Sequence, residues 1–329
     1  MRFATYELGG RIATGVVHAD RVHQIDESVQ SLLDGGLDRA LEIGSRALGG
    51  PSTDLSEVSL RAPLQPRTIR DFVAFEEHVE GVRRSMSGEG GVGGGGVGEA
   101  WYEAPRFYFT NPYTVTGSGS TISPPAACRE LDFELEVAAV IGRSGSSVSV
   151  EEAGNHIFGY TIFNDWSARD VQRREMQVGL GPAKGKDFAS TLGPWIVTAD
   201  EFTDRRDRDG FLELSCSVDV NGERAGHDSL ANMGWSFDSL VAYASRDSWV
   251  HPGDVLGSGT MGNGGCLAEL WGRRGEKSPP PLHHGDIVTM TVEGIGTLTN
   301  TVGESRRVPV VPPARIVDHA RVRSERITE

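Results

Sequence analysis

Acidic and apolar residues alternate along the segment from Glu130 to Glu136. Asp132, Glu134 and Glu136 are two positions apart, and leucine or phenylalanine stands between them. In a β-strand, residues two positions apart point to the same face. The pattern therefore predicts a short strand with three carboxylates on one face and a core-packing face opposite. Three like charges on one face repel one another, so the pattern indicates a bound divalent cation.

The alternative interpretation of this segment is a solvated acidic strand face, which is common. Glutamate is a poor strand former on a half-buried surface, however, and this strand runs directly into the apolar Ala138 to Ile141. Oxygen ligands without a neighbouring histidine or cysteine favour Mg²⁺, with Mn²⁺ and Ca²⁺ as alternatives, over zinc. We therefore expect a divalent metal, Mg²⁺ first, on Glu134 and Glu136.

A second polar segment, Asn164 to Gln172, follows an apolar run. Asp165 at the end of that run is the candidate for a third metal ligand. Arg169 and Gln172 would then point from the first turns of a helix toward a substrate. The alternative is an ordinary helix start, in which Asn164 or Asp165 caps the helix and the charged residues face solvent.

Lys186 ends the loop Gly181-Pro-Ala-Lys-Gly-Lys186. A lysine that lies beside carboxylates can donate to a developing oxyanion or enolate. A surface position is the ordinary alternative, and it is the one we expect for Lys184. The loop therefore supplies one candidate catalytic cation, Lys186.

His78 is the candidate general base, because it has acidic neighbours, Glu77 and Glu80, and precedes a glycine-rich run. The run at 87–98 predicts a mobile lid loop over a site or a disordered insertion. It lacks the G-K-[ST] ending and the preceding strand of a phosphate-binding loop.

The composition limits the classes of partner. The chain has 329 residues, a net charge of −14 and an isoelectric point near 5.1. An acidic surface argues against nucleic acid and anionic membranes as partners. Cys128, Cys216 and Cys266 lie far apart in the sequence, which is typical of a reducing cytoplasm and argues against a zinc–thiolate site. We also expect no membrane span and no secretory leader.

The order of elements predicts a mainly β, α+β protein with peripheral helices and no βαβ rhythm. Short strands and a helix over 28–48, interrupted at Gly35-Gly36, predict a small N-terminal α+β domain at 1–65. The remaining residues, 66–329, would form the catalytic domain. The spacing of Phe72, Phe75, Val79 and Val82 predicts a helix from residue 70 onward. Asn221-Gly222 predicts a β-hairpin.

The sequence resembles the fumarylacetoacetate hydrolase family over roughly residues 65–305. The segments that carry the resemblance occur in the family's order: Asp71–Val79, Glu130–Glu136, Asn164–Gln172, Gly181–Phe188, Gly257–Thr260 and Ala268–Leu270. The resemblance implies a mixed β-roll or sandwich fold in the C-terminal domain, usually as a homodimer.

The resemblance also implies roles for individual residues. Glu134, Glu136 and Asp165 would hold the metal. His78 would activate water, oriented by Glu269, and Lys186 would stabilise an oxyanion or carbanion. The residues implied to bind substrate oxygens are Tyr108, Arg169, Gln172 and Thr260.

Two departures from the family pattern affect these implications. The eukaryotic enzyme that gives the family its name has a fourth acidic metal ligand, in an Asp-Phe pair just before the base. Here that place looks like Ala74-Phe75. This predicts a three-carboxylate site of the acylpyruvase type. Such relatives have glutamate three residues after the histidine, where this chain has Gly81. The acidic partner of His78 is therefore Glu269, Glu80 or Glu77.

The implied reaction is hydrolysis of a carbon–carbon bond in a 1,3-dicarbonyl keto-acid, such as an acylpyruvate or fumarylacetoacetate, through a metal-bound enolate. The alternative is an isomerase, decarboxylase or hydratase that acts on a 2-hydroxy-dienoate or 2-oxo acid at the same site. A third interpretation is a non-catalytic binding protein with a structural Ca²⁺.

Overall fold

The structure is a computed structural model that describes residues 1–87, 97–126 and 128–315. The predicted lid falls mostly on residues 88–96, outside the described residues. Within these ranges no helix is long and apolar enough to cross a membrane. The helices are α1 (Val29–Gly35), α2 (Leu37–Leu48), α3 (Glu76–Ser87), α4 (Glu99–Glu103), α5 (Val150–Ala153), α6 (Arg169–Glu175), α7 (Phe237–Ser245) and α8 (Leu267–Arg274).

Strands dominate the fold. They are β1 (Arg2–Leu8), β2 (Arg11–His18), β3 (Arg21–Ile25), β4 (Ser52–Asp54), β5 (Ser59–Leu60), β6 (Ile69–Phe72), β7 (Phe107–Thr110), β8 (Val115–Thr116), β9 (Thr121–Ile122), β10 (Leu131–Asp132), β11 (Leu135–Ile141), β12 (Ile157–Asn164), β13 (Ser167–Ala168), β14 (Ser190–Thr198), β15 (Ser215–Val220), β16 (Glu223–Ser229), β17 (Val255–Gly257), β18 (Ile287–Val292) and β19 (Gly296–Val302). The main sheet has 12 strands, ten of them in the order β4-β3-β2-β1-β14-β12-β11-β17-β6-β7.

The centre of the main sheet is buried on both faces. Every residue of β11 and β12 is buried, which is why both strands have long apolar runs instead of alternation. Val137, Ala139 and Ile141 belong to the core shared with the five-stranded sheet β16-β15-β18-β19-β9. Ala138 and Val140 belong to a second core with Leu32 and Leu33 of α1 and other residues. The main sheet thus packs against α1 on one face and against the five-stranded sheet on the other.

The predicted mainly β fold with mixed sheets is confirmed. Most strand pairs are antiparallel, but β17 pairs with β6, β14 with β8, and β19 with β9 in parallel. The predicted hairpin also forms, because β15 and β16 flank Asn221-Gly222. The predicted interruption of the first helical segment occurs at Gly36, where φ is 84° and α1 gives way to α2.

The N-terminal strands extend the main sheet. β1 pairs antiparallel with β14, with Arg2 opposite Val197 and Phe3 opposite Ile196. The predicted boundary near residue 65 falls in the connection between β5 and β6. One sheet continues across this boundary, and the residues on its two sides share a hydrophobic core. The division into two domains therefore stays a prediction.

The structure corrects two local predictions. The helix predicted from Arg70 begins only at Glu76, because residues 69–72 form β6 and pair with β17 and β7. The acidic segment is not one continuous strand, because β10 ends at Asp132 and β11 begins at Leu135. From Leu131 to Glu136 its acidic and apolar side chains are all buried, so this part has no solvated face, and only Glu130 at its start is partly exposed.

Candidate active site

Four carboxylates meet on the central strands. Asp71 lies on β6, Glu136 on β11, Glu134 just before β11, and Asp165 just after β12. One ligand oxygen from each lies within 4.8 Å of the others, and all four residues are buried. Sheet pairing explains the convergence, since Asp71 is opposite Gly257 of β17, and Gly257 is opposite Ala138 of β11.

Asp71 is the residue that the sequence interpretation missed. The structure adds Asp71 to the three carboxylates that were expected to cluster, and Asp71-Phe72 is an Asp-Phe pair of the kind that was sought at Ala74-Phe75. Which of the four would hold a metal stays a prediction. The helix predicted from residue 70 concealed it, since that helix would have carried Asp71 away from the strand end. The available clue was the Asp-Phe dipeptide itself, seven residues before His78.

Two cations neutralise one side of the cluster. The Lys186 Nζ donates to Glu134 Oε2 and, at 2.5 Å, to Asp165 Oδ2. The Arg169 Nη2 donates to Glu134 Oε1 at 2.6 Å, and its Nε donates to Asp132 Oδ2 at 2.8 Å. Lys186 and Arg169 are both buried. Glu134 therefore has a cation on each oxygen.

Asp132 lies beside the cluster and positions a helix. Its carboxylate accepts the backbone N–H groups of Leu267 (2.7 Å) and Ala268 (3.0 Å), the first two residues of α8. A carboxylate at a helix N-terminus satisfies donors that the helix leaves unpaired and complements the helix dipole. Asp132 thus fixes the start of the helix that carries Glu269, and it is not one of the four clustered carboxylates.

The two halves of the cluster differ electrostatically. Burial, and then repulsion from nearby carboxylates, hold the pKa values of Asp71 and Glu136 well above the ordinary range. Burial also acts on Glu134, but Lys186 and Arg169 outweigh it and hold the pKa of Glu134 below its usual value. In the same way, burial opposes the charge of Lys186, yet Asp165 and Glu134 raise its pKa.

The residues present fit a divalent cation. Asp71 Oδ1 and Asp165 Oδ1 are buried and have no hydrogen-bond donor. A Cβ atom at Gly257 would lie 2.4 Å from Asp71 Oδ1 and 2.9 Å from Glu136 Oε2, so only glycine leaves these oxygens their room. An all-oxygen, carboxylate-rich ligand set is the kind that Mg²⁺, Mn²⁺ and Ca²⁺ prefer.

His78 lies on α3 and is 7% exposed. Burial lowers the pKa of His78 to about 4, so the imidazole is neutral at physiological pH. Its Nδ1 lies 3.6 Å from the Sγ of Cys266, a neighbour that no spacing in the sequence predicts. A neutral imidazole in a buried site is able to accept a proton.

Glu269 reaches α3 from α8. A Cβ atom at Gly81 would lie 2.4 Å from Glu269 Cγ, so the two helices touch one turn from His78. Burial raises the pKa of Glu269 to about 7, although Arg273 pairs with it at 3.0 Å. Among the three acids considered as partners of His78, Glu80 instead pairs with Arg84. Glu269 is likewise engaged, since it pairs with Arg273 and its Oε2 accepts the Gly264 N–H at 3.3 Å. The acidic partner of His78 therefore stays a prediction, while the close approach of Glu269 explains the glycine at position 81.

The predicted substrate-binding residues lie around the same cluster. The Tyr108 hydroxyl donates to Asp165 Oδ2, and Thr260 Oγ1 donates to Glu136 Oε1 at 3.3 Å. Gln172 Oε1 accepts from Arg169 Nη1 at 3.2 Å. The cluster and its hydrogen bonds thus join eight of the ten predicted residues, His78 lies within electrostatic reach of Glu134, and Glu269 contacts the helix of His78. The individual roles of all ten stay predictions. The helix expected near Asn164 begins only at Arg169.

The fold and this buried carboxylate cluster define a candidate metal-dependent active site built on mixed β-sheets. A family model described as fumarylacetoacetate (FAA) hydrolase C-terminal matches residues 67–303. The chain belongs to the fumarylacetoacetate hydrolase family.

Relatives in this family have different activities. The chain is 29% identical to oxaloacetate tautomerase YisK of Bacillus subtilis, over 92% of this chain and 100% of that protein. It is similar to the solved fumarylacetoacetate hydrolase from Exiguobacterium antarcticum, with a TM-score of 0.72, 26% identity, and coverage of 93% of this chain and 100% of that one. A 5-carboxymethyl-2-hydroxymuconate delta-isomerase from Mycobacterium smegmatis matches with a TM-score of 0.66, 26% identity and the same coverage.

Proposed function

We propose that the protein is a metal-dependent hydrolase that cleaves the carbon–carbon bond of a 1,3-dicarbonyl acid such as an acylpyruvate. The observation that carries the proposal is the placement of a neutral buried base, His78, within electrostatic reach of Glu134 and Lys186 of the carboxylate cluster, while an acid, Glu269, packs against the helix that carries His78. This set contains what hydrolysis requires: a base for water, a cation for the oxyanion, and a place for an electron-withdrawing metal.

The metal would be held by Asp71, Glu134, Glu136 and Asp165. When bound, Mg²⁺ or Mn²⁺ supplies a Lewis acid that draws electrons from the 2-oxo group of the substrate.

The remaining steps belong to the chain's own side chains. His78 takes a proton from water, and the oxygen of that water attacks the carbonyl carbon farther from the carboxylate. Lys186 donates to the resulting oxyanion. The bond to the CH₂ carbon then breaks, its electron pair passes to that carbon, and His78 returns the proton there. The products are a carboxylic acid and a 2-oxo acid whose CH₂ group has become a methyl group, and one water molecule is consumed.

Glu269 and Arg169 would act in support of these steps. Glu269, which is fully buried against α3, orients His78 and the attacking water. Arg169 and Gln172 hold each other through a 3.2 Å hydrogen bond and present donors to the substrate carboxylate.

A substrate panel tests the proposal. Purified protein is given acylpyruvates of increasing chain length, with Mg²⁺, with Mn²⁺ and after chelation, and the products are identified by NMR. We expect pyruvate and the matching carboxylic acid, only with metal, and a loss of activity in His78→Gln. Metal-dependent consumption without a carboxylic acid product would exclude hydrolysis.

Keto–enol tautomerisation of a 2-oxo dicarboxylate is the second candidate. The observation that favours it is the match to oxaloacetate tautomerase YisK, which spans all of that protein, including the region before the family match. Here His78 would move a proton between carbon and oxygen, and no bond between carbons would break. The enol of oxaloacetate, followed by its ultraviolet absorbance, separates this activity from hydrolysis in the same panel.

The homodimer implied by the family resemblance also stays a proposal. Its mass in solution, measured by light scattering at the concentration of the activity assay, tests it directly.

A further inference from the structure

The ammonium group of Lys186 occupies the carboxylate cluster itself. Lys186 is 3% exposed, and its Nζ donates to two of the four clustered residues, Glu134 and Asp165. Its nearest ring, that of Tyr108, has its centroid 6.0 Å from Nζ. A buried ammonium is retained only where opposite charge compensates its loss of hydration. Lys186 is therefore a component of the cluster rather than a neighbour.

The oxygens of the cluster are unequally satisfied. Both oxygens of Glu134 face a cation, since Oε1 accepts from Arg169 at 2.6 Å and Oε2 accepts from Lys186. Asp71 Oδ1 and Asp165 Oδ1 are buried without any donor. Two positive charges, those of Arg169 and Lys186, thus lie on the Glu134 side, while the Asp71 side has open ligand atoms.

A divalent cation and the ammonium use the same two carboxylates. Glu134 and Asp165 both belong to the four-residue group, and both accept hydrogen bonds from Lys186 Nζ. Two cations held by the same carboxylates repel each other strongly in a buried site. Binding of a divalent ion therefore disfavours the contact of Lys186 with these carboxylates, and the contact of Lys186 in turn disfavours binding of the ion.

We infer that Lys186 is a built-in counter-ion of the metal site, which neutralises Glu134 and Asp165 in the metal-free protein and competes with a divalent ion for them. An ammonium released from Glu134 has donors free for a substrate oxyanion, so metal loading prepares the lysine for the step assigned to it above. The inference rests on the proposed function for that last step alone.

Metal affinity tests the competition without any substrate. Mn²⁺ is titrated by calorimetry into chelator-treated wild type, Lys186→Met and Lys184→Met at one pH. Removal of the competing charge should tighten Mn²⁺ binding by roughly tenfold or more in Lys186→Met. Lys184 is the matched control, because its side chain is 76% exposed and pairs with Asp187, so its variant should bind as the wild type does.

Thermal unfolding supplies the second readout. The metal-free Lys186→Met protein should unfold at a lower temperature than wild type, because it leaves buried carboxylates without their counter-ion. Saturating Mn²⁺ should then raise its melting temperature by more than it raises that of wild type. Lys186→Gln, which keeps donors but no charge, should behave like the methionine variant.

The outcomes separate this inference from the proposed function. Wild-type affinity for Mn²⁺ in both Lys186 variants would overturn the counter-ion role, and so would variants that stay unfolded at saturating Mn²⁺. A wild type that shows the expected metal competition but cleaves no 1,3-dicarbonyl acid would refute hydrolysis and leave the counter-ion role standing.

Discussion

At the residue scale, Asp71 shows how one side chain changes the chemistry of the site. Its carboxyl group hydrogen-bonds that of Glu136, and its pKa is raised by burial and by the nearby carboxylate of Asp165. A fourth buried carboxylate of this kind costs stability in the metal-free protein and would be favourable beside a bound divalent ion. We therefore expect Asp71 to raise metal affinity at the expense of stability without metal.

Asp71→Asn should reverse that balance. We expect Mn²⁺ affinity to fall by at least about tenfold, since one of four ligands loses its charge. The metal-free melting temperature should stay the same or rise, because repulsion with the neighbouring carboxylates is relieved. Calorimetry and thermal unfolding measure the two quantities on the same samples.

The control is Asp209→Asn, which removes an exposed carboxylate paired only with Arg208 at 3.3 Å. It should change neither quantity. A metal-free Asp71→Asn protein that melts well below wild type would show that Asp71 stabilises the fold without metal, contrary to this expectation.

His78 predicts a pH dependence of stability. Its pKa is lowered from 6.5 to about 4 in the folded protein. Between those pH values the unfolded chain binds a proton that the folded chain does not, so the unfolding free energy falls as the pH falls from 6.5 toward 4. The loss is about 3 kcal/mol over the full interval and is absent above it.

Urea unfolding of metal-free wild type and His78→Gln at several pH values measures that contribution. Acidic groups also titrate in this range, so the difference between the two proteins is the informative quantity. The difference in unfolding free energy between wild type and His78→Gln should shrink toward acidic pH. His18→Gln, at an exposed histidine, is the control and should leave the pH dependence of the unfolding free energy as it is in wild type. A difference that does not change with pH would show that His78 is not buried in its neutral form.

At the element scale, the crossing of α3 and α8 sets how closely the helices that carry His78 and Glu269 approach each other. Gly81 and Gly272 meet at this crossing, where a Cβ atom at Gly272 would lie 1.9 Å from the backbone oxygen of Gly81. A Cβ atom at Gly81 would lie 2.4 Å from Glu269 Cγ. Small residues at both places let the backbones approach, so the helices that carry His78 and Glu269 pack closely.

Gly81→Ala should therefore impair catalysis more than folding. The added methyl group overlaps Glu269 Cγ and lies 3.2 Å from its Cα, so the buried Glu269 side chain must shift. A misplaced catalytic group lowers kcat by about a hundredfold while KM changes little. Gly272→Ala meets backbone and should instead destabilise the whole protein. Steady-state kinetics and thermal unfolding distinguish the two outcomes.

Gly49→Ala is the control for adding a methyl group, because its nearest atom lies 3.5 Å away and its φ is −80°. It should leave kcat unchanged. If Gly81→Ala retained full kcat, the packing of Glu269 against α3 would have no part in catalysis.

Elements with local causes could be predicted from the sequence, and those with tertiary causes could not. Asn221 and Gly222 adopt positive φ of 53° and 83°, as the hairpin turn requires, so the turn is encoded in two residues. Strand β6 was missed because Phe72 and Phe75 also fit a helical face. Only its pairing with β17, nearly two hundred residues later in the chain, decides between the two.

The same distinction applies to the site. Glu134, Glu136 and Asp165 could be found because their spacing or position at a strand end has chemical meaning alone. Asp71 could not, since its role depends on β6 being a strand. Cys266 beside His78 and the cation pairing of Glu134 follow from packing between distant segments, and no spacing in the sequence predicts either.

At the scale of the whole molecule, the first strands complete the sheet that carries the site. Phe3 of β1 is fully buried in a core that also contains Ala138 and Val140 of β11 and Phe158 of β12. Its ring centroid lies 5.9 Å from that of Phe158. Because β11 also carries Glu136, the N-terminal segment and the metal site share one packed layer.

Phe3→Ala should accordingly weaken the entire fold rather than the N-terminal segment alone. Loss of a fully buried aromatic ring typically costs about 3–5 kcal/mol of unfolding free energy. Urea unfolding is followed by tryptophan fluorescence and, in parallel, by retention of bound Mn²⁺. Both probes should shift together to lower urea concentrations.

Ile12→Ala, at a position on β2 that is 71% exposed, is the control, and its unfolding free energy should stay within about 0.5 kcal/mol of wild type. If Mn²⁺ retention kept its wild-type midpoint while fluorescence shifted, the first 65 residues would unfold as an independent domain, and the shared core would not couple them to the site.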